Sequence, residues 1–418
     1  MSSLKKLNIK FLLVLIIPLL IWGPFFPDLI VSLSSIMFLF YVFKNKAFNY
    51  FIQTPIIIFF SFCVYCSFVS IFFASNILMS FETSFFYFRI GIFSCLIWYL
   101  IEQDKKILNY FYYALIMSFS ALIVDGYIQF FIGENILGVP KWENNRISSF
   151  FGEELIMGSY LSRLFPLLIA LFIVKERNKL EEYFMILFFI LLSGLIFISG
   201  ERASFFFLIL STLFILLLAK NLLKIRLYFF FGSVILIIMI SLINAEIKYR
   251  VFEKTFKTLG LQKNEDKKYI FTANHDSLFR TAFNMFKDKP IVGHGPKMFR
   301  VMCKDEKYAV GISPCMTHPH NFYVQLLAET GIIGFSFLFS AFAYVLYCAY
   351  RQFKSIVLRQ KRYLTDYQVC LLAGILITVW PLTTNGNFFH NWLMVVYSLP
   401  VGFYLHSIYG KNRKNISF

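Results

Sequence analysis

The 418-residue chain is 58% hydrophobic and only 15% charged, carries 55 phenylalanines and has a net charge of +17. Soluble domains have an apolar share nearer half and a charged share nearer a quarter, so this composition excludes one and places the chain in a membrane. The positive balance follows from lysines and arginines grouped in short loops between apolar runs, and it requires no nucleic-acid partner.

Apolar stretches near the ~20 residues that cross a bilayer recur at 9–25, 28–43, 53–73, 83–101, 107–125, 155–174, 183–199, 203–219, 227–244, 322–350, 367–383 and 391–409. They predict an all-α polytopic membrane protein of about twelve transmembrane helices. The basic start followed by apolar Phe11 to Leu20 lacks a small-residue cleavage site, so it reads as a retained span. Basic clusters fall in alternate loops: Lys5, Lys6 and Lys10; Lys44 and Lys46; Lys105 and Lys106; Lys175, Arg177 and Lys179; Lys220, Lys224 and Arg226; Arg351 to Arg362; and Lys411, Arg413 and Lys414. The positive-inside rule puts these loops and both termini in the cytoplasm. No Gly/Ser/Pro-rich linker and no fixed repeat divides the chain, which predicts one membrane domain, 1–418, with a smaller outer loop at 126–154 and a larger one at 245–320.

The larger loop carries 14 Lys and Arg against 8 Asp and Glu. A basic loop on the outer face suits an anionic ligand such as a diphosphate, or is a solvated surface with scattered charge. Within it, Asp276 to Lys287 has apolar Leu278, Ala282, Met285 and Phe286 at helical spacing, consistent with a helix lying on the bilayer. Lys289-Pro290 ends that helix, and Gly293-His294-Gly295-Pro296 reads as a turn. Cys303 and Cys315 lie in the same loop, where an oxidising compartment permits a disulfide. A Cys/His metal site with His318 and His320 is the competing reading, but its spacing fits no zinc pattern. Cys63, Cys66, Cys95, Cys348 and Cys370 sit in apolar spans as small hydrophobes.

Several side chains have positions that suit chemistry. His320 stands where the polar loop re-enters an apolar helix, and imidazole can accept a hydroxyl proton near neutral pH. His318 shares its Thr317-His318-Pro319-His320 turn. Arg202, in the tight Ser199-Gly200-Glu201-Arg202 turn, is either an interfacial anchor or an anion ligand, its planar fork matching phosphate oxygens. Arg280 is either the polar side of the loop helix or a second such ligand. Arg89 lies inside a span, where a charge is costly unless it faces a polar cavity or a partner. Arg146, Glu154 and Arg163 flank the smaller loop, as site residues or as a salt-bridged cap. Carboxylate clusters for a divalent cation, P-loops and nucleophilic Ser elbows are missing, which disfavours nucleotide hydrolysis and nucleotide-sugar transfer and predicts no cofactor.

His320-Asn321, nine residues, then Gly331-x-x-Gly334 resembles the signature of the O-antigen ligase family, bacterial membrane enzymes of GT-C-like fold. The resemblance implies transfer of a glycan from undecaprenyl diphosphate to a hydroxyl of lipid A-core oligosaccharide at the periplasmic face of the inner membrane, metal-independent and with inversion. It assigns His320 as general base and Arg202 and Arg280 to the departing diphosphate, and it draws Arg89, Arg146, Glu154, Arg163, His318 and Asn321 towards substrate. O-antigen polymerases share topology and carrier. Protein O-oligosaccharyltransferases share the domain but usually have extra carboxy-terminal bulk, and a flippase would share twelve spans and buried charge without needing these residues on one face.

Overall fold

The computed structural model describes residues 3–258 and 271–411, with side chains from Ile9 onwards except that of Asn144. Residues 259–270 of the larger loop, Arg413 and Lys414 of the last basic cluster, and the side chains of Lys5 and Lys6 lie outside the described residues. No strand occurs among the described residues, only isolated bridges such as Trp142 with Arg146.

In chain order the principal helices are α1 (Ser3–Leu19), α2 (Phe25–Asn45), α3 (Thr54–Phe73), α4 (Ile77–Gln103), α5 (Lys106–Ile132), α6 (Met157–Val174), α7 (Lys179–Ile198), α8 (Arg202–Leu218), α9 (Leu223–Ile243), α10 (Ala273–Asp288), α11 (Phe299–Met302), α12 (Phe322–Val357), α13 (Asp366–Thr378) and α14 (Asn391–Tyr409). By length and composition, nine of these among the described residues can cross a membrane. The other three of the twelve expected positions hold shorter apolar helices, Ile9–Leu19, Arg202–Leu218 and Asp366–Thr378.

Local chemistry sets the helix ends. Capping boxes start α7 (Asn178 with Glu181) and α13 (Thr365 with Gln368), each satisfying two backbone N–H groups that a helix start leaves unpaired. Gly133, at φ 108°, stops α5. That helix outruns the expected 107–125 span because Asp125 and Gln129, polar enough to suggest a loop, are buried helical residues that accept N–H groups from Ile136, Ser148 and Ser149. They tie the connecting segment 133–156 onto the bundle.

Burial divides the helices. Most of α4, α6 and α14 is enclosed by protein. Much of α2, α3 and α9 presents apolar side chains outward, among them Phe40, Phe72 and Leu242, a surface suited to lipid. The basic clusters lie at one end of the bundle, where α2, α4, α6, α8 and α12 finish. The opposite end carries the turns at 20–24, 74–76 and 199–201 and the segments 133–156, 244–258, 271–321 and 379–390.

At that second end, α13 stops at Thr378 rather than at the expected 383, because the twelve residues that follow are unwound. Thirteen helical residues rise about 20 Å, well short of a bilayer's ~30 Å, so non-helical backbone descends to membrane depth, which is tolerated only where its polar groups are satisfied. The start of α12 satisfies them. Asn321 Nδ2 donates to the carbonyls of Pro381 (2.8 Å) and Thr383 (3.2 Å), the Tyr323 hydroxyl donates to the Val379 carbonyl, Gln325 Oε1 accepts from Phe388 N–H (2.9 Å), and the His320 carbonyl accepts from Asn385 N–H (2.8 Å). Asn321 Oδ1 also caps α12 by accepting from Tyr323 and Val324.

The Gly331-x-x-Gly334 element has a separate purpose. Helix α12 breaks at Gly331 (φ 62°, ψ −167°), and the segment 290–295 crosses the break. A Cβ on Gly331 would lie 2.2 Å from the Ile291 carbonyl oxygen, and one on Gly293 2.4 Å from the Thr330 nitrogen. Backbone bonds from His294 to Ala328 (3.1 Å), Gly295 to Glu329 (2.7 Å) and Ile332 to Pro290 (2.9 Å) fasten the crossing. The apolar face of α10 (Leu278, Ala282, Met285) packs on Phe299, Cys303, Tyr308 and Ala328, so protein rather than the bilayer covers that face. Cys303 and Cys315 form a disulfide, with Cα atoms 4.9 Å apart. Gly331→Ala combines a glycine-only backbone conformation with a steric clash and should destabilise the protein by about 3 kcal/mol or more, read as a lowered melting temperature in detergent.

Candidate functional site

A cavity of about 1620 Å³ opens at the unwound end of the bundle. One part is polar, lined by Glu154, Arg163, Glu201, His275, Arg300, His318, His320, Asn385 and His390. The other is apolar, a trench between α1 and α5 formed by Phe11, Val14, Pro18, Tyr110, Tyr113 and Met117. Several trench residues are surface-exposed, Met117 by 71%, so the trench reaches the outward apolar face of the bundle. A chamber with one charged end and one greasy end suits an amphiphile.

His320 sits in the left-handed backbone region at φ 60°, uncommon for a residue other than glycine. Its carbonyl is held by Asn385 N–H, and that bond fixes the backbone from which the ring projects. The His318 ring lies 4.1 Å from it and the His275 ring 5.3 Å, centroid to centroid. His318 Nδ1 meets the Thr317 hydroxyl and His275 Nδ1 the Thr272 hydroxyl, each at 2.9 Å. Burial lowers the pKa of all three imidazoles. His320 is held below its usual value of 6.5 by burial against a smaller opposing effect of its backbone bond. Burial and then the His320 neighbour push His318 down to about 3 and His275 to about 4, with Arg202 adding to the effect on His275. The cluster is therefore neutral near pH 7, the form in which an imidazole accepts a proton. Among the described residues, no group of three or more His, Cys, Asp or Glu is disposed to hold a metal ion.

Arg163 is 4% exposed. Its guanidinium lies 4.5 Å from the Phe207 ring centroid and 4.6 Å from that of Tyr397, and Nη2 donates to Asn385 Oδ1 (3.0 Å). Nη1 is buried without a hydrogen-bond partner, and among the described residues no carboxylate forms an ion pair with this arginine. A buried cation left in this state is strongly attractive to an anion. Arg300 on α11 also faces the cavity, with Nε buried and unpartnered. The buried Glu329 carboxylate accepts the Phe299 N–H (3.1 Å) and is held by Gln325 (3.0 Å), which anchors the short helix bearing Arg300.

Glu201 closes the floor. Its carboxylate accepts N–H groups from Gly158 (2.6 Å) and Ser159 (3.0 Å) at the start of α6 and the Ser204 hydroxyl (2.8 Å). Burial nonetheless raises its pKa to about 7, against the lowering effect of those bonds and of Arg146.

The structure brings His320, His318, Glu154 and Arg163 into this cavity. Arg202 begins α8 at its rim, within electrostatic reach of His275. Arg146 lies behind it, its Nε 3.4 Å from the Ser199 carbonyl, and burial, with Arg250 beside it, lowers its pKa to about 10. Asn321 is the cap and loop clamp already described. Arg280 points away: its side chain is 64% exposed and forms an ion pair with Asp276 (2.9 Å). Arg89 pairs with Asp28 beside a different, smaller cavity. Arg300, His275, Glu201 and His390 also line the chamber, and no motif in the sequence marks them out. Two weaker signals exist: Glu201 adjoins Arg202 in the quoted turn, and 384–390 (Thr-Asn-Gly-Asn-Phe-Phe-His) is a polar interruption between two apolar runs.

Fold and site together define an all-α polytopic membrane protein with a histidine- and arginine-lined chamber at one end. Residues 187–339 match the family model for O-antigen ligase, and the match supports assigning the chain to the O-antigen ligase family. This is a family of glycosyltransferase-like membrane enzymes acting in general on polyprenyl-linked glycans and lipid acceptors. The matched stretch runs from α7 through Arg202, His320 and Gly334. No curated protein matches the chain.

Replacing Arg163 by Met removes a buried charge that forms no ion pair among the described residues while keeping apolar bulk, so stability should change by no more than about 1 kcal/mol in either direction. Wild-type protein should gain thermal stability from added pyrophosphate and Arg163→Met should not; equal gains would show that this guanidinium is not the anion's ligand.

Proposed function

We propose that the protein transfers a glycan from undecaprenyl diphosphate to a hydroxyl of lipid A-core oligosaccharide, as an O-antigen ligase of the inner membrane. The observation that carries this reading is the buried Arg163, ion-paired with no carboxylate among the described residues, in the same chamber as the neutral His320. His320 withdraws the acceptor hydroxyl proton as that oxygen bonds to the anomeric carbon. The carbon–oxygen bond to the carrier breaks on the opposite face, the electron pair leaves with the diphosphate, and the configuration inverts. Arg163 and Arg300 meet the leaving charge inside the chamber and Arg202 meets it at the rim, an electrostatic contribution aimed at charge that develops in the transition state. Arg280 joins them only by exchanging Asp276 for phosphate. The apolar trench between α1 and α5 receives the polyprenyl chain.

The basic clusters at the other end favour an orientation with both termini cytoplasmic and the chamber facing the periplasm. An O-antigen polymerase would use the same donor and chemistry with another glycan as acceptor, and a protein O-oligosaccharyltransferase would use a hydroxyl side chain.

Deleting the gene should leave long glycan on the carrier and none on lipid A-core; core capped with a single repeat unit would instead identify a polymerase. His320→Ala should insert normally and lose transfer by about a hundredfold to ten-thousandfold. Because burial lowers the His320 pKa, loss of the base by protonation should be displaced to the acid side. The acid limb of the rate profile is expected below pH 6.5, and full activity of the Ala variant would remove His320 from the reaction.

A further inference from the structure

A second cavity, of about 280 Å³, opens at the same end of the bundle, between the starts of α2, α4 and α14. Its charged lining is mixed: Asp28, Glu82, Arg89 and Lys297, with Asn391 beside them and the Tyr87 and Phe389 rings at one side. Asp28 accepts from Arg89 and from Asn391 Nδ2 (3.2 Å), while Arg89 Nε is buried and has no partner. Arg89 is twelve residues into α4, about 18 Å along its axis. Its partner Asp28 is the fourth residue of α2, so the pair lies near the end of that helix but inside the bundle; buried ionic groups in a membrane protein are costly and are retained where they serve a polar pathway or ligand. Lys297 adopts a left-handed backbone (φ 62°) and has no ion pair among the described residues.

Only a thin wall separates the two cavities. His390 lines the large one and the next residue, Asn391, lines the small one; Lys297 faces the small cavity and Arg300, three residues on, faces the large one. The lining restricts what could bind. Asp28 and Glu82 repel a bare phosphate, Arg89 and Lys297 repel a metal cation, and so polar a wall rejects a lipid tail. A sugar ring meets all of these conditions, since its hydroxyls both donate and accept hydrogen bonds and its C–H face packs on aromatic rings. The volume is near the lower limit of small-molecule sites, about 300 Å³, enough for one ring. We propose that this cavity is a sugar-binding subsite, holding one ring of a glycan whose neighbouring residue reacts beside His320. The link to transfer rests on the function proposed above; the binding itself does not.

The test uses the full chain in detergent. Saturation-transfer NMR with delipidated core oligosaccharide, and separately with glycan released from the carrier, reports binding without requiring turnover. Wild-type protein should bind one of the two, and Asp28→Asn should weaken it by about tenfold, the usual consequence of losing a charged hydrogen bond. Glu82→Gln, which leaves the Arg89–Asp28 pair intact, should weaken the same ligand with an unchanged melting temperature, and this guards against misfolding of the first variant. In transfer assays, a rise confined to the acceptor KM assigns the ring to the acceptor, and one confined to the donor KM assigns it to the donor glycan. Wild-type affinity for both glycans in Glu82→Gln and in folded Asp28→Asn would overturn the subsite, and a wild-type protein that binds sugar without transferring it would instead overturn the proposed reaction.

Discussion

The site depends on one constraint: the backbone that runs unwound from 379 to 390 into the bundle must have its polar groups satisfied without water. Side chains of α12 meet that requirement, with Asn321, Tyr323 and Gln325 bonding successive stretches of the segment and the His320 carbonyl holding Asn385. The same residues therefore cap a helix, support a cavity wall and position the imidazole. Asn385 passes the support onward, since its side chain also accepts from Arg163. Base and cation are thus coupled through one short segment, and an error in either wall displaces both.

Electrostatics inside the chamber follow from burial more than from pairing. The histidines are pushed towards neutrality by desolvation. Arg163 keeps its charge because a guanidinium cannot readily lose it, although its direct contacts are neutral oxygens and aromatic faces and Glu201 acts on it only from beyond ion-pair distance. A region that is cationic, has a neutral base and is closed by an apolar trench is preorganised for an amphiphilic anion, at a cost in stability that a bound anion would offset. The Glu201 carboxyl accepts N–H groups at the start of α6, and those bonds oppose the burial that disfavours its charged form.

The His320-Asn321 and Gly331-x-x-Gly334 pattern is legible in the sequence alone, but its two halves have different physical roles. The Asn321 half satisfies backbone, whereas Gly331, with Gly293 on the crossing segment, permits two main chains to cross where a Cβ would collide, and Gly334 leaves room for the Thr330 side chain. Arg280 shows the limit of linear reading. It lies on the polar side of an amphipathic helix, and sequence position could not distinguish it from His275, five residues earlier on the face turned to the chamber. Arg300 was equally hidden, because its orientation comes from a four-residue helix anchored by Glu329, distant in the chain and carrying no local pattern.

Composition and hydropathy by themselves determined an all-α membrane protein, the positions of its helices and the alternation of basic loops, because bilayer thickness and backbone hydrogen bonding leave a segment of that length and apolarity few alternatives. The tertiary structure alone decided which polar side chains share a chamber. That choice depends on where α13 ends, how α12 breaks and which face of α10 is buried, and each is set by contacts between residues far apart in the chain, where neither periodicity nor spacing leaves a trace.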